Sequence, residues 1–396
     1  MNLRCASVWS LLLTAVYGCG AAGTTSTNSD NFGWVQRGDD YARPGEGAFN
    51  VRWSRQLTDR FEARFLPVQL SSAEFDVPRN RVYIGTTEGD LYAFTDKGQR
   101  VYFYDAGAQI ESKPAVHPRT GEVYFASVDG TVHALTLAGE PKWTTKLIGA
   151  VRTQPLVTED AIYIVAENDA ISALARDDGR VLWTYGKEPV NEITIAGHAG
   201  LLIEDGRLFA AFTDGAVAAL DPSDGRLFWE TETALDVERR PGNVPQFLDV
   251  DTTPLIVRGT LYVASFTAGL YALDPANGSV VWRDGDFRGV TGIAAAGRML
   301  VISSAPRGIS LFDLRTREVQ WERAPERGAP TPPIVTARGT VIYGETQGSL
   351  FALSLSDGRE IARAEGGSGF SATPAVAGEI GGALSNGGRF LCLRVN

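Results

Sequence analysis

Histidine and cysteine are the first residues to consider for chemistry, because they bind metals and act as bases and nucleophiles. The three histidines fall in different parts of the sequence without the short spacing of a ligand set, at His117, His133 and His198. The three cysteines are equally dispersed and leave no pair in the predicted folded part: Cys5, Cys19 and Cys392. The sequence also has no Gly-x-Ser-x-Gly elbow and no phosphate-binding loop. We therefore predict no catalytic, cofactor-binding or metal-binding residue, and no enzyme activity.

Two short segments indicate a different kind of chemistry, the recognition of another protein. Asp249 and Asp251 are two residues apart, and so are Ile193 and Ile195. In an extended segment such pairs point to one side. An apolar pair beside an acidic pair would combine a hydrophobic anchor with an electrostatic selector. The alternative is structural: Asp249 would cap a loop, Asp251 would bind backbone amides, and the isoleucines would lie in the core.

Most of the chain consists of one repeated sequence motif, and the fold that this repeat forms must position the two segments. Its clearest copy runs from Thr260 to Trp282 and holds three runs of strand-forming residues separated by two turns. The aligned copies begin at Gly89, Gly130, Ala170, Gly215, Gly269, Gly308, Gly348 and Gly388. A spacing of about 40 residues with four strands per unit is typical of propeller blades rather than of a helical solenoid. The predicted fold is all-β, an eight-bladed β-propeller of four-stranded antiparallel blades.

Two recurrent features mark individual strands of the predicted blades. A Ser/Thr-x-Pro signature suits the start of a strand, where the missing N–H of proline is not needed. It occurs at Ser112-Lys-Pro114, Thr153-Gln-Pro155, Thr252-Thr-Pro254 and Thr331-Pro-Pro333. An aromatic residue on the last strand keeps a strict position, which predicts packing between blades rather than ligand binding. These aromatics are Tyr102, Trp143, Trp183, Trp229, Trp282, Trp321 and, ahead of the first copy, Trp53.

The two ends of the repeat region complement each other. Phe49 to Trp53 is an isolated strand that ends in tryptophan, and the last copy, Gly388 to Asn396, stops before its final strand. We expect the N-terminal strand to complete the last blade, which would close the ring and leave no exposed sheet edge there.

Composition and net charge indicate the fold class and exclude some kinds of binding partner. The chain of 396 residues is 44% hydrophobic and 21% charged, with 44 glycines and 19 prolines, as a turn-rich all-β protein would be. Its formal net charge of −10 disfavours binding to nucleic acid or to an anionic lipid surface, since both need clustered Lys and Arg. One repeat from about residue 49 onward predicts a single domain, residues 48–396.

The N-terminal region has the pattern of an exported protein. An apolar run from Val8 to Val16 is too short to span a bilayer and suits the core of a signal peptide, residues 1–18. Cys19 follows in a context that resembles a bacterial lipobox, which implies lipidation of Cys19 and, with Gly20 after it, sorting to the outer membrane. An ordinary secretory signal is the alternative. Residues 19–47 are small and polar and predict a flexible tether.

The region from Phe49 to Asn396 resembles the BamB family, lipoproteins of the outer-membrane β-barrel assembly machinery that fold as eight-bladed propellers of quinoprotein-like repeats. The repeat phrases are shared with many proteins of that repeat class and indicate fold only. The combination that favours this family is Asp249-Val-Asp-Thr-Thr-Pro254 after a long loop, together with Ile193-Thr-Ile195.

The resemblance implies a function and a partner surface. It implies a membrane-anchored, non-enzymatic scaffold without a cofactor, which binds the periplasmic POTRA domains of a BamA-type protein and other lipoproteins of the machinery. The implied contact residues are Ile193, Ile195, Asp249 and Asp251, with Ala196 standing where the family has an arginine. The alternative is a periplasmic ligand-binding or dehydrogenase-related propeller. Its pyrroloquinoline-quinone cofactor would need a calcium site, a base carboxylate and often adjacent cysteines, and this sequence has no adjacent cysteines.

Overall fold

The computed structural model describes residues 35–37, 49–58, 69–187, 199–233 and 249–395, and within these ranges the strands form eight antiparallel sheets. Each sheet holds four strands in sequential order, apart from one that gains a fifth. The sheets are the blades of a propeller, so the predicted fold class and blade number are confirmed. No helix in the described ranges is long and apolar enough to cross a lipid bilayer.

The strands of the first four blades run from the central channel to the rim. In blade one they are Glu74–Asp76, Arg81–Gly85, Asp90–Thr95 and Arg100–Asp105, with a 3-10 turn at Val77–Arg79. In blade two they are Ala115–Val116, Val123–Ala126, Thr131–Leu135 and Pro141–Lys146. In blade three they are Leu156–Val157, Ala161–Val165, Ile171–Ala175 and Val181–Tyr185. In blade four they are Leu202–Glu204, Arg207–Ala211, Ala216–Leu220 and Leu227–Glu232.

The remaining blades follow the same order. In blade five the strands are Leu255–Val257, Thr260–Ser265, Gly269–Leu273 and Val280–Asp284. In blade six they are Val290–Ala296, Met299–Ser304, Gly308–Asp313 and Glu318–Arg323. In blade seven they are Ile334–Val335, Thr340–Gly344, Ser349–Ser354 and Glu360–Glu365. In blade eight they are Ala375–Ala377, Ile380–Leu384, Arg389–Val395 and Phe49–Gln56.

Blade eight joins the two ends of the repeat region, as the sequence predicted. Phe49–Gln56 pairs antiparallel with Arg389–Val395 and provides the outer strand that the last repeat lacks. Trp53, only 2% exposed, packs between Phe94 of blade one and Phe390 of blade eight, with ring centroids 5.5 and 5.4 Å away. The closing strand therefore supplies both a sheet edge and a large buried side chain.

A further strand lies in the stretch that the sequence predicted as a tether. Val35–Arg37 pairs antiparallel with Glu360–Glu365 and forms the fifth strand of blade seven. The outer strand of a blade has a free row of backbone N–H and C=O groups that can accept such an addition. The rest of the predicted signal peptide and tether, with Cys19, lies outside the described residues.

The aromatic position that recurs in the repeats packs between blades, which confirms the prediction. Five indoles donate their Nε1–H to a backbone carbonyl in the turn of the next blade at 2.9 to 3.1 Å. The pairs are Trp53 with Asp96, Trp143 with Arg176, Trp183 with Pro222, Trp229 with Pro275, and Trp321 with Leu355. Each indole nitrogen is thereby satisfied while the ring is taken out of water.

The Ser/Thr of the Ser/Thr-x-Pro signature fixes the approach of the chain to the channel. The amide of Ala264 donates to the Thr252 hydroxyl at 2.7 Å, and the amide of Ala126 donates to the Ser112 hydroxyl at 3.0 Å. These hydroxyls satisfy backbone groups at the end of the second strand, before the short inner strand begins after the proline. Because the Ser or Thr is held in this way, the residue before it lies at the channel wall, as Glu111 does before Ser112 and Asp251 does before Thr252.

Candidate functional site

Of the four residues predicted to contact a partner, two lie outside the described residues and two do not. Ile193 and Ile195 fall in the undescribed range 188–198, together with Ala196 and His198. Asp249 and Asp251 open the segment that leads into blade five. The structure therefore places only the acidic half of the predicted surface.

The segment that carries the two aspartates is held between two blades. Val250 is 2% exposed, and its amide donates to the carbonyl of Phe212 in blade four at 3.2 Å. The carbonyl of Asp249 accepts from the amide of Phe266 in blade five at 2.9 Å. The segment belongs to no strand, so the two-residue alternation of a strand does not govern it.

The two carboxylates occupy different environments as a consequence. Asp249 is buried, with 1% of its surface exposed, whereas Asp251 is partly buried and lines the central channel. The sequence analysis expected both aspartates on one side of an extended segment, and the burial of Asp249 differs from the exposed position that a contact residue would need. Burial raises the pKa of Asp251 from 3.8 to about 7, and the nearby negative charge of Asp249 adds to this rise.

The channel at Asp251 is a cavity of about 660 Å³, and all eight blades contribute residues to its wall. Several of them occupy one repeated position, three residues before the inner-strand proline: Glu111, Arg152, Asp251 and Ser371. A repeat alignment extended by three residues toward the N-terminus would have identified this position from the sequence. The spacing of the acidic pair alone does not indicate the channel-facing residues of the other blades.

The other charged groups of the channel wall are paired. Arg152 forms ion pairs with Glu111 of the preceding blade and with Glu167 of its own blade. Lys113 pairs with Glu74 across blades one and two at 2.8 Å. Among the described residues, the carboxylate of Asp251 has neither a cation nor a hydrogen-bond donor as partner, and its pKa shift has no lowering contribution. Among the described residues of the wall, Asp251 is thus the charged group that has no opposite charge beside it.

The channel does not fit a quinone cofactor with its calcium ion. The described residues contain no group of three or more His, Cys, Asp or Glu side chains that could hold a metal. A calcium site needs six to eight oxygen ligands, and the channel carboxylates are spread over different blades, most of them bound to cations.

The two described histidines are packed parts of the blades. His133 is stacked on Phe125 with ring centroids 4.8 Å apart, and burial lowers its pKa to about 4. The Nδ1 of His117 accepts from the amide of Thr120 at 3.2 Å, and burial together with the nearby Arg176 charge lowers its pKa. Both rings therefore stay neutral at physiological pH and serve the fold.

Comparison with known proteins gives a consistent family relationship. The family described as outer membrane protein assembly factor BamB matches residues 116–323. The chain is similar to the outer membrane protein assembly factor BamB of Yersinia pestis, with 24% identity over 294 residues, 72% of each protein. The crystal structure of BamB from Moraxella catarrhalis superposes with a TM-score of 0.72 at 18% identity, over 87% of this chain and 99% of that one.

The propeller itself is shared more widely. A quinohemoprotein alcohol dehydrogenase from Comamonas testosteroni superposes with a TM-score of 0.67 at 13% identity, over 88% of this chain and 77% of that one. At this identity the likeness concerns the fold alone.

Proposed function

Because the chain belongs to the BamB family of outer membrane protein assembly factors, we propose that it is a scaffold lipoprotein of the β-barrel assembly machinery. It is anchored at the periplasmic face of the outer membrane through lipidated Cys19. There it assists the assembly and insertion of β-barrel proteins by binding a BamA-type partner through the partner's periplasmic POTRA domains. Other lipoproteins of the machinery are further partners in this proposal.

The family match over residues 116–323 is the observation that carries the proposal. The matched range includes the insertion before blade five and the acidic segment at Asp249 and Asp251. Among the described residues, the charged groups of the channel form salt bridges across blades, and none belongs to a metal-ligand set.

The proposed contact surface consists of Ile193, Ile195, Asp249 and Asp251. The isoleucines supply the apolar anchor, and the aspartates supply the charge that orients a basic partner surface. Since Asp249 is buried and Asp251 is only partly buried, the channel-facing Asp251 carries most of the direct electrostatic contact.

A binding titration against the periplasmic part of a BamA-type protein tests the proposal. Reversing Asp251 to Lys should weaken binding by about 1 to 3 kcal/mol, with a slower association that depends on salt. Replacing Ile193 and Ile195 by Ser should instead raise the dissociation rate. A thermal melt of each variant separates loss of contact from loss of fold, and wild-type protein that fails to bind at low salt would overturn the proposal.

The runner-up is a quinoprotein-like ligand-binding or dehydrogenase-related propeller, which shares its fold with a quinohemoprotein alcohol dehydrogenase. Titration with pyrroloquinoline quinone in the presence of calcium, followed by quinone absorbance, separates the two. Saturable binding with a one-to-one ratio would favour this second function over the scaffold.

A further inference from the structure

We propose that a small monovalent anion of the size of chloride binds between blades one and two, where Arg81, Tyr83 and Tyr102 donate hydrogen bonds to it. The site is separate from the central channel and does not depend on the proposed partner. Its role is to join blade one to blade two through a bound ion.

Three side chains of blade one each carry a buried polar atom that has no hydrogen-bond partner in the described part of the chain. These atoms are the Nε of Arg81 and the hydroxyl oxygens of Tyr83 and Tyr102. The two hydroxyls therefore bond neither to each other nor to the arginine. A buried donor without an acceptor destabilises the fold, so each such group calls for an explanation.

The three side chains lie on one face of the blade. Arg81 and Tyr83 are two residues apart in one strand, so both point to the same side. A single residue of the next strand separates Tyr83 from Tyr102 in the strand pairing, and the two ring centroids are 6.5 Å apart. Tyr83 packs in one core cluster with Val123 of blade two. The unpartnered groups therefore face the junction between the two blades.

The same place in blade two is filled by a carboxylate of the chain itself. Tyr124 corresponds there to Tyr83, and Glu122 stands two residues before it, as Arg81 does in blade one. The Tyr124 hydroxyl donates to Glu122 at 2.8 Å, and Arg176 of blade three donates to the same carboxylate at 2.5 Å. The repeat thus has a place for a negative charge between blades. In blade one an arginine stands where this carboxylate would be.

The chemistry of the three groups favours an anion. Burial raises the pKa of Tyr83 to about 12 and also raises the pKa of Tyr102, so both hydroxyls keep their protons at physiological pH. A guanidinium group has only donors. Asp76 lies opposite Arg81 in the strand pairing, but both of its carboxylate oxygens accept from Arg79, at 3.2 and 3.1 Å. Three donors and one positive charge therefore remain for a ligand.

The surroundings favour a ligand of a single atom. Tyr83 is 0% exposed. The Tyr102 ring lies against Gly139 in a turn of blade two, where an added Cβ would lie 2.6 Å from the ring. Packing this close suits a halide rather than phosphate or an organic acid. An ion that accepts from all three donors satisfies them and offsets the charge of Arg81.

Chloride binding is tested on the full-length protein by the broadening of the chloride NMR signal. Wild type should broaden the signal, and added bromide should reverse the effect by competition. Arg81→Gln should weaken chloride binding at least about tenfold, because it removes a charge-assisted hydrogen bond. Arg207→Gln is the matched control, since Arg207 has the same strand position in blade four but is followed by Phe209 instead of a tyrosine. The control should bind chloride as wild type does.

Tyr83→Phe gives a second readout that depends on the salt. In sodium gluconate the variant should melt at the wild-type temperature or above it, because it removes a hydroxyl that has no partner. In sodium chloride of the same ionic strength, wild type should gain stability from the bound ion, and the variant should gain less. Tyr163→Phe is the control, because the Tyr163 hydroxyl already donates to the Pro222 carbonyl at 3.0 Å. It should lose stability equally in both salts.

Three results would overturn the anion site. One is an equal effect of chloride on the melting temperatures of wild type, Arg81→Gln and Tyr83→Phe. Another is loss of chloride binding in Arg207→Gln, which would move the site to blade four. The third is a crystal grown in sodium bromide without an anomalous peak between Arg81 and the two tyrosines, since water would then satisfy the donors. None of these results bears on the scaffold proposal, which the partner titration tests separately.

Discussion

The indole nitrogen of Trp229 donates a hydrogen bond of 3.0 Å to the carbonyl of Pro275 in the next blade, and the same ring covers Gly278 in that turn. Gly278 has a φ of +74°, and a Cβ placed on it would lie 2.4 Å from ring atom Cε3 of Trp229. The turn therefore needs glycine for its backbone conformation and for the close approach of the ring. The same relationship joins Trp143 to Gly179 and Trp321 to Gly358.

We predict that Gly278→Ala lowers the free energy of unfolding by about 2 to 4 kcal/mol, because strain at positive φ adds to the clash with Trp229. Gly206→Ala is the matched control, since Gly206 has a φ of +72° and nothing within 4 Å of the added Cβ. The control should lose only about 1 kcal/mol. Urea denaturation measures both, and equal losses would show that the indole contact adds nothing.

Closure of the ring gives a second prediction. Removing the chain through Arg55 takes away most of the Phe49–Gln56 strand and the Trp53 side chain. The exposed edge and the empty tryptophan pocket should destabilise the propeller by several kcal/mol, roughly 3 to 5 from the tryptophan alone. A truncation through residue 34 keeps the strand and serves as the control. A melting temperature that is the same for both truncations would contradict closure by this strand.

Blade number, blade order and closure could be predicted because each depends on a pattern that recurs. Eight copies of one phrase identify the third strands, and an unfinished last copy with an orphan strand ending at Trp53 identifies the closing pair. The role of the tryptophans was also predictable, since a residue that keeps its place in repeat after repeat must serve the contact between repeats.

The environment of Asp249 and Asp251 could not be predicted in the same way. Residues two apart share a side only where the chain is a regular strand, and this segment is fixed by bonds to Phe212 and Phe266 in two different blades. Asp249 is buried because neighbouring blades pack around it, and a local sequence pattern does not predict contacts between blades. The strand Val35–Arg37 was missed because three residues in a polar stretch give no periodic signal.

Membrane attachment gives a third prediction. If Cys19 is the lipidated residue, Cys19→Ser should leave the protein soluble in the periplasm or uncleaved at the inner membrane, since two or more acyl chains are needed for stable anchoring. Cell fractionation with detection of the protein measures this. Cys392→Ser is the control, because Cys392 is buried in blade eight and cannot be a lipid site without unfolding. A Cys19→Ser protein found in the outer-membrane fraction would refute lipidation at this residue.

The last prediction concerns the pH dependence that Asp251 gives to stability. Its pKa is raised from 3.8 to about 7 in the folded protein, so between these values the folded chain holds a proton that the unfolded chain has lost. The free energy of unfolding should therefore fall as the pH rises from about 4 to about 7, and this contribution should be constant above that range.

Asp251→Asn removes this dependence. The variant and wild type should be equally stable near pH 4. At pH 8 the variant should be more stable by about 2 kcal/mol. This is less than the free energy that corresponds to the whole pKa shift, because the Asp251 side chain is only partly buried. Chemical denaturation at several pH values measures the difference between the two curves. Buried Glu345 also titrates with a raised pKa, but it is common to both proteins and cancels in the difference. A difference curve that does not change with pH would show that Asp251 is an ordinary solvated carboxylate, and the charge imbalance of the channel would then have no energetic consequence.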